Sequence, residues 1–344
     1  MKMKRLIFLI LLISSNVFPL TLSDSAVSDT LWIAFWNVEN LFDTINDPKI
    51  NDEEFLPGSK NLWTSERYMD KLEKLAQVIR SMKNGSGPDL IGMSEIENKK
   101  VLEDLVTLYL KGMQYRIAHL DSPDERGIDV ALIYKERAFK LIKLIGHKVE
   151  LESKSPTRLI LEARMKTGRE NVSVFVNHWP SRRGGQDDSE KNRVKAASVL
   201  RKATQELFGR SANSKIIIMG DFNDEPTNIS ISSTLDAKNS VCGSNIKENG
   251  LLFNLAYPLK LAGFGSYKYR DQWNMLDQII ISTSLFRGSK KINYMCGSFE
   301  VYSPGFMVTP DGNYKGSPSR TYAGDKYLGG YSDHFPVIAK FLIK

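Results

Sequence analysis

The sequence is short of the residues that usually mark a site. Among 344 residues there are two cysteines and four histidines. Cys242 and Cys296 stand far apart with no CxxC spacing, which excludes a cysteine zinc site. A disulfide and two buried thiols both stay open. Long apolar runs are missing too. Leu6 to Ile13 is the longest stretch of interest, and its eight residues fall well short of the roughly 20 that a bilayer span needs. Repeats and low-complexity linkers are absent. At 42% hydrophobic and 25% charged residues, the composition excludes collagen-like, coiled-coil and disordered chains. A chain of this length buries about three quarters of its unfolded surface, so it needs no staples to keep a core.

The N-terminus reads as an export signal. Lys2, Lys4 and Arg5 precede the apolar run and polar residues follow it. That order fits a secretory signal better than a buried first strand. The expectation is a signal peptide over residues 1–26, a catalytic domain over 30–344, and a secreted or periplasmic protein. No Cys follows the run, so a lipid anchor is not expected, and neither is any other stable membrane anchor. Removing Lys2, Lys4, Arg5 and Asp24 lowers the formal charge from +7 to +5. Such an excess attracts polyanions modestly.

Short apolar, β-branched or aromatic runs recur along the chain: LWIAFWNVEN (31–40), DLIGMSEIEN (89–98), VSVFVNHWPS (172–181), KIIIMGDFND (215–224), LDQIIIS (276–282) and HFPVIAKF (334–341). Runs apolar throughout predict strands covered on both faces. TRLILEARM (157–165) alternates, which predicts a half-buried strand. Thr64 to Met82 places Tyr68, Leu72, Leu75, Val78 and Ile79 at helical spacing; Lys99 to Leu110 and Ser189 to Phe208 repeat the pattern, the latter with Val194, Ala197, Leu200 and Leu207 inward. The sum is mixed sheets packed together with helices outside. Gly297 to Gly330, rich in Gly, Ser, Pro and Tyr, predicts a functional surface loop or a disordered one.

The strand ends are chemically alike. Asn37, Glu39 and Asn40 close the first run and Glu95 the second. Asn177 and His178 close another, and Asp221, Asn223 and Asp224 the next. Asp277 interrupts LDQIIIS, and Asp333-His334 opens the last strand. One carboxylate after a strand is usually a turn former. Six polar termini of acid, amide and imidazole type are not explained that way. Oxygen donors without sulfur select a hard divalent ion, Mg²⁺ or alternatively Mn²⁺ or Ca²⁺. Such an ion neutralises phosphate charge. Two imidazoles, one paired with an acid, can orient water and stabilise charged oxygens. The pattern points to metal-assisted phosphoester hydrolysis.

WNVEN, SEIEN, GDFND, LDQII and SDHFPV, in this order, resemble the endonuclease/exonuclease/phosphatase superfamily, over nearly all of the chain from Leu31. The resemblance implies an α+β fold, a four-layer α/β/β/α sandwich with its site at one edge, and a Mg²⁺-dependent hydrolase. By position it implies metal binding at Glu95, Asn37 and Asp333, with Glu39 in an acidic place nearby. It implies that Asp221 and Asn223 orient water and contact phosphate, that His334 is the catalytic histidine steadied by Asp277, and that His178 is a second one. His178 stands where repair enzymes of the exonuclease III type commonly carry Tyr, which argues against abasic-site repair.

Arg182 and Arg183 follow His178 and suggest a phosphate clamp or a solvated pair. Asp129 and Arg126 suggest either an approach to the site or a turn-stabilising ion pair. Tyr267, Tyr269, Arg270 and Trp273 interleave aromatic and basic types, as nucleic-acid surfaces do. His119 and His147 read as structural. A monomeric nuclease is the expected function. A lipid or inositol phosphoesterase is the alternative: the PxWxDR signature of inositol 5-phosphatases is absent, whereas Phe299 to Val308 supplies a candidate membrane loop.

Overall fold

A computed structural model describes residues 29–239, 242–243, 246–287 and 291–343. The expected signal peptide lies outside them. The chain runs β1 (Asp29–Leu41), α1 (Ser65–Ser81), β2 (Leu90–Ile96), α2 (Lys99–Asp104), β3 (Tyr115–His119), β4 (Asp129–Lys135), β5 (Lys140–His147), β6 (Ile160–Thr167), β7 (Glu170–His178), α3 (Gln186–Arg210) and β8 (Ile216–Asp221). It continues with β9 (Ala237–Asn239), β10 (Leu252–Asn254), α4 (Tyr257–Leu261), β11 (Tyr267–Tyr269), β12 (Gln272–Asn274), β13 (Asp277–Ser282) and α5 (Thr283–Phe286). β14 (Ile292–Tyr294), β15 (Glu300–Val301), β16 (Tyr322–Ala323), β17 (Lys326–Tyr327) and β18 (Val337–Ile343) complete it.

Two seven-stranded sheets carry the fold. One has the order β14-β18-β1-β2-β4-β3, with β15 also on β18; the other has the order β5-β6-β7-β8-β13-β10-β9. Alternation along each strand explains the unbroken apolar runs. From β1, Leu31, Ile33 and Phe35 enter the core between the sheets, while Ala34, Trp36 and Val38 pack outward under α1 and α2. From β8, Ile217 and Met219 face inward, while Ile216 and Ile218 meet Ala196, Ala197 and Leu200 of α3. The central strands of both sheets are therefore covered on both faces, edge strand β5 staying partly exposed, and the layers are helix, sheet, sheet, helix, as expected. The sheets approach closely at Gly92, where a Cβ would lie 2.6 Å from Met219 Sδ.

Three details differ from the sequence reading. The second helix holds α geometry only to Asp104 and then makes a π turn over Leu105–Tyr109. In α3, Val194 is only half-buried; its neighbour Arg193 is fully buried and pairs with Asp224 at 2.7 Å. In α1, Lys71 is buried on the apolar face, where it donates to Thr321 Oγ1 at 2.7 Å and to the Tyr331 carbonyl at 2.8 Å. Those bonds fasten the long loop, which carries the β16–β17 hairpin, across the end of the first sheet. Cys242 and Cys296 form a disulfide, Cα to Cα 5.7 Å, following edge strands β9 and β14 of opposite sheets. The bridge closes a loop of 54 residues, worth about 4 kcal/mol in the chain-entropy treatment. No described helix is long and apolar enough to cross a membrane.

Candidate active site

Topology gathers the polar strand ends. β1 and β2 run parallel, and so do β7 and β8, so their C-terminal ends meet at one edge of the sandwich. β8 and β13 run antiparallel and pair Asp221 directly with Asp277. β18 returns antiparallel to β1, with Val337 beside Phe35, which brings His334 to the same edge. Two bulges then re-aim side chains. The β1 register shifts between Asn37 and Leu41, where Glu39 and Asn40 adopt φ 53° and 51°. The β2 ladder shifts between Ser94 and Ile96, where Glu95 adopts φ 63°. Left-handed backbone at non-glycine residues costs about 1–3 kcal/mol each and persists where surrounding structure enforces it. Here the reinforcement is direct: the Asn40 N–H donates to Glu95 Oε2 at 2.9 Å.

Asp221 is the hub. The Asn37 amide donates to Asp221 Oδ2 at 3.0 Å and to Glu95 Oε1 at 3.2 Å, joining the two sheets. Asn223, held at φ 50°, donates its backbone N–H to Asp221 Oδ1 at 2.9 Å and its side-chain amide to the Trp179 carbonyl at 3.0 Å. The two imidazoles flank the same carboxylate oxygen: His178 Nε2 is 3.8 Å and His334 Nε2 3.9 Å from Asp221 Oδ2.

The histidines differ in charge. His334 Nδ1 bonds Asp277 Oδ2 at 2.7 Å, and Asp277 also takes the Ser266 hydroxyl. Burial opposes the imidazolium, but Asp277, then Asp333 and Asp221, outweigh it and hold the His334 pKa well above the ordinary value. Tyr267 stacks on the ring at 4.7 Å, and the Trp36 indole holds the His334 carbonyl at 2.9 Å. His178 has no carboxylate in bonding range. Burial first, then Arg158, Arg126 and His334, push its pKa well below the ordinary value, which favours the neutral ring. Titratable groups driven apart in this way are an acid–base signature.

Glu95, Asn37 and Asp333 provide oxygen donors around this centre. Glu95 has its pKa raised by burial and then by the neighbouring Asp333 charge. Asp221 is raised by burial as well, with Asp277 adding to it and His334 opposing. Packed acids that repel one another, without a sulfur donor, suit a hard divalent cation. Ligand atoms of Asp221, Asp277 and His334 also lie within 4.8 Å of one another. In that trio His334 Nδ1 is already taken by Asp277, so it reads as proton-handling machinery.

The remaining expected residues fall elsewhere. Glu39 does not face the metal donors with a free carboxylate; the bulge turns it to accept the N–H groups of Thr321 at 2.6 Å and Tyr322 at 3.3 Å. Burial and then Asp333 push its pKa up to about 7, against the opposing charge of Lys71. Arg182 spends its guanidinium within the protein, donating to the Asn223 carbonyl at 2.7 Å and reaching Asp224 at 3.6 Å, so it braces the GDFND loop. Arg183 is exposed beside it. Tyr269 and Arg270 sit on the β11–β12 hairpin, with Arg270 over the Tyr269 ring at 5.2 Å. Asp129 bonds His119 at 2.8 Å and the Ser122 N–H at 2.7 Å, which pins a loop, and Arg126 pairs with Asp124 at 3.4 Å. His147 bonds Glu162 at 2.8 Å.

Sequence reasoning missed several supports. Buried Arg158 donates to the carbonyls of His178 at 3.2 Å and Trp179 at 2.7 Å and pairs with Asp124 at 3.0 Å. Ser332 donates to the Asn37 carbonyl at 2.7 Å and accepts the His334 N–H at 3.1 Å. No local pattern marks either residue. Lys71 had a signal, a lone cation on the apolar face of α1.

A profile described as the endonuclease/exonuclease/phosphatase family matches residues 32–342. A comparison with curated protein sequences found no match. Solved structures share the fold. A protein of that family from Bacteroides thetaiotaomicron is 16% identical, with TM-score 0.55, covering 92% of this chain and 96% of the other. A mannosyl-6-phosphatase from the same species is 16% identical, with TM-score 0.53, covering 90% and 99%. TDP2 from D. rerio, solved with a single-strand DNA product, is 13% identical, with TM-score 0.54, covering 91% and 98%.

Proposed function

The chain belongs to the endonuclease/exonuclease/phosphatase family, a family of phosphoester hydrolases, and from that premise we propose that it is an exported, divalent-cation-dependent phosphodiesterase that cuts DNA, with RNA as a second substrate. The observation that carries the hydrolytic reading is one carboxylate, Asp221, flanked by a charged and a neutral imidazole. Glu95, Asn37 and Asp333 would hold the cation, Mg²⁺ first and Mn²⁺ or Ca²⁺ as substitutes. Such an ion, when bound, neutralises phosphate charge and polarises a P–O bond.

The protein's own groups then have distinct tasks. Asp221, its basicity raised by burial, accepts a proton from the attacking water, which the Asn223 side chain helps to place; the new P–O bond forms as the bond to one ester oxygen breaks, and that oxygen leaves as an alkoxide and takes a proton from water. Charged His334 donates a hydrogen bond to the phosphoryl oxygens as negative charge builds there. Asp277 keeps His334 Nδ1 protonated, so that Nε2 faces the phosphate. Neutral His178 supplies a second contact on the opposite side.

Nucleic acid is favoured over lipid by the walls. Tyr267, Tyr269 and Arg270 offer aromatic and cationic contacts beside His334. The candidate membrane loop buries Phe299 and Met307 in the core and leaves Phe306, 38% exposed, as its one large exposed apolar side chain, which disfavours insertion. The Cys242–Cys296 disulfide supports an oxidising compartment and so supports export. A monomer suffices, since all site residues come from one chain. The test is a substrate panel of plasmid DNA, RNA, sphingomyelin vesicles and inositol phosphates, with Mg²⁺ and with EDTA. DNA cleavage that needs the ion and weakens with salt is expected. Intact DNA and RNA overturn the nuclease reading.

A further inference from the structure

Next to His334 lies a separate cavity of about 290 Å³, bounded by the β11–β12 hairpin on one side and by Asn313, Tyr314, Ser317 and Arg320 of the long loop on the other. That is near the lower limit for a small-ligand site, about 300 Å³. Tyr267 is common to both places: its ring stacks on His334 and also lines the cavity. A group bound there is one aromatic ring away from the catalytic histidine.

The cavity is unusually cationic for its size. Arg320 Nε is buried without a hydrogen-bond partner, and the guanidinium lies 5.0 Å over the Tyr314 ring. Its charge reaches the Tyr267 phenol. Lys268 and Arg270 line the facing wall, while the one acid there, Asp271, is exposed and is 3.3 Å from Lys268. A buried guanidinium nitrogen with no acceptor is costly unless a ligand supplies one. Tyr269 and Tyr314 keep about half of their surface exposed, at 53% and 43%. Arg270 and Asp271 both adopt positive φ, 46° and 64°, in the two-residue turn of the hairpin. Glycine or asparagine suits that turn better, so a charged pair is kept there at a cost.

The far wall is built, not draped. The backbone directly after Arg320 is fixed by Glu39, through the Thr321 and Tyr322 N–H groups, and by Lys71 through the Thr321 hydroxyl. Glu39 lies two residues beyond Asn37, so the strand that delivers this proposed metal donor also positions Arg320.

We propose that this cavity is a subsite for the nucleotide next to the scissile phosphodiester, with Arg320 and Lys268 on its phosphate and the tyrosines stacking its base. The proposal rests on the nuclease reading. Arginine suits a phosphate because its planar fork donates two parallel hydrogen bonds, and stacking on tyrosine accepts any base.

The test uses single-stranded thymidine oligomers with Mg²⁺. A dinucleotide holds one phosphodiester and no flanking phosphate; a tetranucleotide holds flanking ones. For the unmodified enzyme, kcat/KM should rise about tenfold or more from dimer to tetramer, the worth of one charge-assisted contact. Arg320→Ala should shrink that gain to under threefold, and should lower the slope of log kcat/KM against log salt by about one. Arg320→Lys should keep part of the gain. Thermal melting checks that both variants fold. A length gain retained in Arg320→Ala overturns the subsite. Equal turnover of dimer and tetramer by the unmodified enzyme overturns it too, and leaves the nuclease reading standing. If neither oligomer is cut while plasmid DNA is, the subsite falls and the nuclease reading stands; if plasmid DNA and RNA stay intact as well, both fail.

Discussion

His178 Nε2 and His334 Nε2 lie 3.8 and 3.9 Å from one oxygen of Asp221, and the protein tunes the two rings in opposite directions, the first pKa held well below the ordinary value and the second well above it. The difference is made by partners, since both rings are buried. His334 has Asp277; His178 has Arg158 behind it and no acid in bonding range. The two rings are therefore not interchangeable, and exchanging their surroundings should exchange their roles.

His334→Ala should lower kcat by about 10²–10⁴-fold with the fold intact, the range for a positioned proton-handling group. Asp277→Asn tests the charge state. Loss of the carboxylate removes the main support of the imidazolium, so the His334 pKa falls. Protonated His334 is the working form, so the alkaline limb of the rate–pH profile should move to lower pH. An alkaline limb that stays in place would show that His334 does not act as the cation.

Glu95→Gln should raise the Mg²⁺ concentration needed for half-maximal activity, because one anionic donor is lost while the shape is kept. Titrating Mg²⁺ against turnover checks this. An unshifted midpoint would place the metal elsewhere.

Lys71→Met should destabilise the protein by about 1–3 kcal/mol, since it strands the Tyr331 carbonyl and the Thr321 hydroxyl. Denaturant unfolding reads it. The neighbouring carboxylate of Glu39 should also become a weaker acid, because Lys71 is the charge that opposes its upward shift.

Reduction of Cys242–Cys296 should lower stability by about 2–5 kcal/mol. The cysteines follow edge strands far from Asp221 in the ladder order, so turnover below the melting range should survive dithiothreitol.

Much of this arrangement is legible in the sequence because strand periodicity is local. Runs such as KIIIMGDFND show both that a strand is covered on two faces and where it stops, and six such stops share one chemistry. What escapes is set by contacts far along the chain. Glu39 looks like a ligand two residues after Asn37. The bulge at that point breaks the period of two and sends its carboxylate to a backbone 282 residues away. Arg182 looks like a phosphate clamp, yet its donors go to the Asn223 carbonyl and the side-chain oxygens of Asn274 and Asn228, whose positions no local pattern fixes. Arg193 replaces Val194 at the α3 interface because Asp224 arrives beneath it from the loop after β8. The apolar residues of Phe299 to Val308 match a membrane loop as well as a core segment by composition, and only packing separates the two.

Gly92 bears on the timing of activity. It lets the sheets touch at Met219, and Glu95 and Asp221 come from opposite sheets just beyond that contact. Neither sheet alone holds a complete site. A complete site therefore exists only where the two sheets are packed together. During refolding, turnover should lag behind the recovery of secondary structure. A bulkier residue at Gly92 should lengthen that lag before it lowers the helix and strand content.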